Sequence, residues 1–291
     1  MNHTNKAFAA LLLTTLAGLS TGCATSQPYV MNYNDNKSLA LNIVNNAGIN
    51  PYGNIKDTEV PVGVKKHIAN TGEYGALNSA LKYSFPVAGV SGLAAGGLGV
   101  LEMMTAAKEH AEVSHLLGWI PADTVASADE AQEVFLKQGK AAVKKVLEDL
   151  NVELLYENTV EKKKYMVYQA GFEGMGECNL RVKGKICYIQ VFVAKPSKHL
   201  YVIPKQLDAS TPTAYVFEPR GVRDLNSQVM VQIEGVVAQH PEILKAIAGY
   251  MPSHSAIYVP PMTRRETIGT KYPYVLKDGK YELFITENSS L

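Results

Sequence analysis

The stretch PVAGVSGLAAGGLGVLEMM, Pro86 to Met104, holds the densest set of residues that could cradle a ligand with backbone alone. A phosphate loop follows a strand and spaces its glycines as G-x-x-x-x-G-K-[ST] or G-x-G-x-x-G, so that N–H groups converge on the anion at a helix start. Here Gly97-Leu98-Gly99 runs into Val100, Leu101 and Glu102, with no third glycine and no lysine, and the carboxylate would repel phosphate. Nucleotide chemistry is set aside. A nucleophile elbow, G-x-S-x-G, is absent too, since Gly89-Val90-Ser91 continues into Gly92-Leu93. His110, Glu112 and His115 come nearest to a metal set, but on a helix the two histidines, five apart, point to different faces. Glu112 and His115 then remain as an i,i+3 surface pair. Arg264 and Arg265, in PPMTRRE, could recognise an anion such as a glycan or lipid phosphate and are read as a solvated loop. No catalytic residue, metal ligand or cofactor is assigned; carboxylates that meet from distant parts of the chain stay open as an alternative.

The amino terminus is more specific. MNHTNKAFAALLLTTLAGLSTGC places Lys6 before an apolar run from Ala7 to Leu19, followed by small residues, which is the plan of an export signal. Leu19-Ser20-Thr21-Gly22-Cys23 resembles the lipobox of bacterial lipoproteins, with Ser20 where such boxes usually carry Leu. The resemblance implies that Cys23 becomes the mature N-terminus and carries a thiol-linked diacylglycerol, with a further acyl chain on its amine in many Gram-negative species. Buried methylenes contribute ~0.8 kcal/mol each, so two or three chains make a stable anchor. Ala24 and Thr25 follow in place of the Asp that favours the inner membrane, which by resemblance implies the outer membrane, with the body on the periplasmic side. In that oxidising compartment Cys178 and Cys187, within GECNLRVKGKICYIQVFV, read as a disulfide closed by a reversal around Val182 to Gly184. A loop this short contributes ~2–3 kcal/mol on the chain-entropy account.

Charge excludes one further class. The chain has 28 basic and 27 acidic residues, and Lys6 is the one charged residue ahead of Cys23, so the mature chain balances. Its dense basic run, Lys162-Lys163-Lys164, is a solvated turn beside Glu161 and not a footprint for nucleic acid.

Gly89, Gly92, Gly96 and Gly99 recur at steps of three and four, which places them on one face of a helix as a helix-packing surface. Tyr83 to Leu101 is an uncharged span short for a bilayer and diluted by glycine, alanine and serine. Its partner is therefore this protein's own core, another copy, or the bilayer. The stretch looks like the glycine-zipper segments of some outer-membrane lipoproteins, including the conjugative surface-exclusion kind, in composition.

The remaining elements position these features. Residues 1–22 are the signal and 23–37 a polar, flexible tether. Residues 38–150 form an N-terminal region, and 151–291 an α+β domain. Within 38–76 short strands or turns are expected, then a helix from Leu77 to Leu117 stopped by Gly118 and Pro121. SADEAQEVFLKQGKAAVKKVLEDL predicts an amphipathic helix capped by Ser127 and Glu130 as a capping box. Asp123, Asp129 and Glu130 are acids suited to its N-terminal turn. VELLYEN, KYMVYQAGF, ICYIQVFVAK, LYVIPK and TAYVFEP predict strands. VRDLNSQVMVQIEGVVAQHPEILKAIAGYMP predicts one broken or two successive helices, Pro241 in the first turn of the second and Gly249 near its end. SAIYVPP and a hairpin turning at Asp278-Gly279 close the chain.

The resulting expectation is an α+β fold: a Gly-rich apolar helix and an amphipathic helix, followed by a mainly antiparallel sheet with inserted helices. The expected function is that of an outer-membrane lipoprotein, not an enzyme, serving envelope assembly, secretion or conjugation through protein partners or its own copies. The alternatives are an envelope enzyme acting on peptidoglycan or glycan, and a small-ligand or lipid-binding module.

Overall fold

The strand β3, His115–Pro121, has the sequence HLLGWIP and is buried on both faces along nearly its whole length. A continuous apolar run of this kind suits the middle of a sheet covered on both sides. The computed structural model describes residues 28–50, 53, 55–61, 114–173, 187–210, 212–217, 227–233, 236–238, 240–260 and 273–288. In it β3 lies between β8 (Thr213–Phe217) and β11 (Ser255–Val259), antiparallel to both. Beyond β8 come β7 (Leu200–Val202) and β1 (Tyr29–Val30), the latter parallel to β7; beyond β11 come β12 (Tyr274–Lys277) and β13 (Lys280–Glu282). These seven strands form one sheet.

A second sheet has five antiparallel strands in the order β10 (Val236–Ala238), β9 (Gln228–Ile233), β6 (Cys187–Ala194), β5 (Tyr165–Glu173) and β4 (Glu153–Lys162). A parallel ribbon joins β2 (Thr58–Pro61) to β14 (Ile285–Asn288). The three helices among the described residues are α1 (Leu39–Asn46), α2 (Ala128–Asp149) and α3 (Pro241–Tyr250). Helices with mostly antiparallel sheets make this an α+β fold. None of these helices is long and apolar enough to cross a membrane.

Two cores lie on opposite faces of the seven-stranded sheet. Leu116 and Ile120 of β3 join Phe135, Val143 and Leu147 of α2, Ile243 and Ile247 of α3 and the inner face of the five-stranded sheet. Leu117 and Trp119 join Leu41 and Val44 of α1 with Ile203, Val216 and Tyr258. Gly118 makes the first contact possible: a Cβ there would stand 2.6 Å from Phe135 Cζ, so the ring lies directly on the strand backbone.

Several expectations are corrected. Residues 115–117 belong to β3 and not to the end of a helix, and Gly118 is a packing position within a strand. His115, expected on a helix surface, is fully buried and stacks on Tyr258, ring centroids 6.2 Å apart. The first helix expected between 222 and 238 is replaced, where described, by β9 and β10, because Val229 and Val231 face the core while Gln228, Met230 and Gln232 alternate outward. Residues 39–46 form a helix in place of short strands or turns. Residues 29–37 of the expected tether belong to the folded body, through β1 and through Asn34, whose N–H donates to Asn42 Oδ1 at 2.8 Å.

Other features follow the sequence. Ser127 Oγ caps α2 by accepting from the Glu130 N–H at 3.2 Å, while Glu130 Oε2 accepts from the Ala126 N–H, one residue earlier than a regular capping box. Asp278 and Gly279 have φ of 50° and 69°, as the turn between β12 and β13 requires. Gly249 of α3 meets that turn: a Cβ on Gly279 would lie 3.2 Å from Gly249 Cα. Lys163 and Lys164 form an exposed turn between β4 and β5.

Candidate interaction site

The alternation along β5, β6 and β9 divides the five-stranded sheet into two chemically different faces. Met166, Tyr168, Ala170 and Phe172 of β5, with Cys187, Ile189, Val191 and Val193 of β6, point inward against α2. Outward, three rows cross the sheet in register. They read Val160, Val167, Phe192, Gln228; then Asn158, Gln169, Gln190, Met230; then Tyr156, Gly171, Tyr188, Gln232. No charged residue stands in these rows. Their members on β5, β6 and β9 are half-buried, except Gly171, which is buried; those on β4 are exposed.

Local packing flattens this face. A Cβ on Gly171 would fall 2.2 Å from Tyr156 Cε1, so the tyrosine ring lies across the glycine where any other residue would lift it. The Tyr156 hydroxyl accepts from Gln169 Nε2 at 3.2 Å. Tyr165 stacks on Phe192 with centroids 5.0 Å apart. Rigid aromatic rings and amides that both donate and accept make a surface suited to uncharged, hydrogen-bonding partners.

The edge strand β4 is exposed over its whole length, including Leu154, Leu155, Tyr156 and Val160 at 38–44% of their full area. Glu157, on its inner side, ties it to α2: Lys144 lies 2.8 Å and Lys140 3.7 Å from the carboxylate, which also accepts from Tyr168 OH at 3.1 Å. The Lys144 hydrogen bond holds the Glu157 carboxyl below the usual range, and burial, with Glu157 beside it, pushes the Tyr168 hydroxyl up. Lys140 sits 5.0 Å over the Tyr168 ring.

Two polar groups lie elsewhere. On the α1 side of the seven-stranded sheet, Trp119 Nε1 donates to Asp208 Oδ2 at 3.0 Å, and Ser210 occupies Asp208 Oδ1 through its N–H at 3.0 Å and its hydroxyl at 2.6 Å. Burial opposes ionisation of Asp208, but the hydrogen bonds from Ser210 and Trp119, with His254 nearby, hold its carboxyl below the usual range. Asp208 thereby fixes Trp119 and its own turn. Around the start of α1 a cleft of about 630 Å³ is lined by Asn32, Asn34, Asn36, Asn45 and Asn46 with Tyr33, Asp35 and Lys37. Its floor is set by Asn42, whose Nδ2 donates to the carbonyls of Asn34, Lys37 and Ser38. Among the described residues no group of three or more His, Cys, Asp or Glu could hold a metal ion.

Of the residues singled out in the sequence, Cys187 opens β6, fully buried and disulfide-bonded. Cys23, Cys178, the glycines Gly89, Gly92, Gly96 and Gly99, His110, Glu112, Arg264 and Arg265 lie outside the described residues. Asp129 and Glu130 occupy the first turn of α2, where Asp129 pairs with Lys195. The sheet face and the asparagine cleft were missed by sequence reasoning. The face was readable as Tyr/Gln/Phe alternating with aliphatics in β5 and β6, and the cleft as the run NYNDNKS. No family of proteins, no characterised protein and no solved structure matches the chain.

Proposed function

We propose that this protein is a lipoprotein anchored through Cys23 in the outer membrane, whose body binds partner proteins in envelope assembly, secretion or conjugation and performs no catalysis. The observation that carries the reading is the charge-free centre of the outer face of the five-stranded sheet, three rows flanked by Lys162 at one end and by Glu153 and Glu173 at the other. Interface cores are depleted in Lys, Glu and Asp and enriched in Tyr, Phe and Met, the composition found in these rows. The lipobox resemblance supplies the anchor and the export signal the compartment; the Cys178–Cys187 disulfide belongs to the same proposal.

One experiment in growing cells tests both parts. Labelled palmitate enters the parent and not Cys23→Ser; equal labelling removes the anchor. A photo-reactive residue at position 190 captures a protein that is lost when Tyr188→Lys is added. No captured band, or a band indifferent to Tyr188→Lys, removes the sheet face. A second reading, a glycan-binding module, is favoured by the asparagine cleft, because an amide matches a sugar hydroxyl as donor and acceptor at once. Peptidoglycan fragments retained despite Tyr188→Lys and released by Asn45→Asp would favour it.

A further inference from the structure

The exposed edge of the five-stranded sheet, β4, fits a second copy of itself. An uncovered edge presents a row of unpaired N–H and C=O groups and pairs readily with another strand. Pairing with β5 fixes the geometry of this edge: Leu154 stands opposite Phe172 and Tyr156 opposite Gly171, leaving Leu155 as a bulge.

We infer that two copies join β4 to β4 in antiparallel register about a twofold axis at Asn158, making one ten-stranded sheet. With Leu155 bulged in both strands, Tyr156 falls opposite the partner's Val160 and Glu153 opposite the partner's Lys162. Each of these residues is on the outer face, as the β5 register shows, since Glu153, Tyr156, Val160 and Lys162 pair with Glu173, Gly171, Val167 and Tyr165. Opposite residues in an antiparallel pair must share a face, and this register meets that condition on both sides of the axis. The twofold repeats the acid–base pair at both ends, covers the exposed Tyr156 and Val160 with each other, and sets no like charges opposite. The inference goes beyond the proposed function, because the edge pairs whether or not the outer face binds a partner; the capture experiment at position 190 reads the face and the following one reads the edge.

The test uses the full chain in mild detergent, with the parent as control for its native cysteines. Asn158→Cys, on the axis, is expected to form an intermolecular disulfide on mild oxidation. Val160→Cys is not, because its own counterpart lies four residues along the strand, about 13 Å away. Comparable cross-linking at 158 and 160, or none at 158, overturns the register. Glu153→Lys alone and Lys162→Glu alone are expected to shift the particle from dimer toward monomer in light scattering, and the double variant to restore the dimer. A monomeric parent, or a double variant no more dimeric than the single ones, overturns the pairing; the exposed positions leave the fold intact, which circular dichroism of each variant checks.

Discussion

Two of the described glycines, Gly118 and Gly171, have rings laid on them, and their costs differ because the rings differ. Phe135 over Gly118 is fully buried between α2 and β3, stacked on Phe217 at 4.2 Å, and has nowhere to move. Tyr156 over Gly171 is exposed and can swing away. Gly118→Ala is therefore expected to destabilise by about 1–3 kcal/mol, as overpacked cores do. Gly171→Ala is expected to cost less than half as much while displacing Tyr156 from the outer face. Urea unfolding of the two variants checks the order; equal costs would contradict it. Sequence gave no warning at either place, since a glycine that admits a ring is indistinguishable by type from one that ends a helix. Asp278-Gly279 was legible because a two-residue turn with positive φ at both places selects those residues directly.

Elements were legible in proportion to their independence from tertiary context. α2 is long, capped and amphipathic, and Ala131, Phe135, Val143, Val146 and Leu147 all reach the core as its period predicts. The period ran out at Leu150, which is exposed beyond the helix end. β3 misled because an apolar run buried on both faces has no alternation to read, and α1 because eight residues rich in asparagine carry little helical signal. What fixes α1 is its cap. Ser38 is buried, accepts from the Leu41 N–H at 3.0 Å and donates to Asp57, whose other oxygen accepts from the Ser38 N–H at 2.7 Å. Ser127, capping α2, is partly exposed and holds one such bond. Ser127→Ala is expected to cost about 1 kcal/mol. Ser38→Ala is expected to cost about 2 kcal/mol or more, because the Asp57 carboxylate also loses a buried donor. Denaturant midpoints at constant slope measure both.

At the scale of the whole molecule, acid should weaken the fold through His254. This residue lies where the loop after α3 enters the seven-stranded sheet, its carbonyl accepting from the Trp119 N–H at 3.1 Å and its Nε2 buried without a partner. Burial lowers its proton affinity and Lys277 lowers it further, against the opposing pull of Asp208. The unfolded chain takes up this proton near pH 6.5 and the folded chain only below that, so stability declines as pH falls from about 6.5 and levels off once both forms are charged. The thermal midpoint between pH 7.5 and 5.5 is expected to fall in the parent and to fall less in His254→Gln; parallel behaviour would remove His254 as the cause.

The pairing of β2 with β14 and of β1 with β7 joins the earliest described strands to later ones, the first of these to residues near the chain's end. β3 likewise waits for β8 and β11 before either of its edges is paired. The order in which residues are made is therefore not the order in which they can be assembled, and non-local strand pairing of this kind is slow. A chain arrested before residue 285 would hold β2 with no partner strand. The Thr58–Pro61 segment has to stay unpaired while more than two hundred further residues are added, until Ile285–Asn288 arrives.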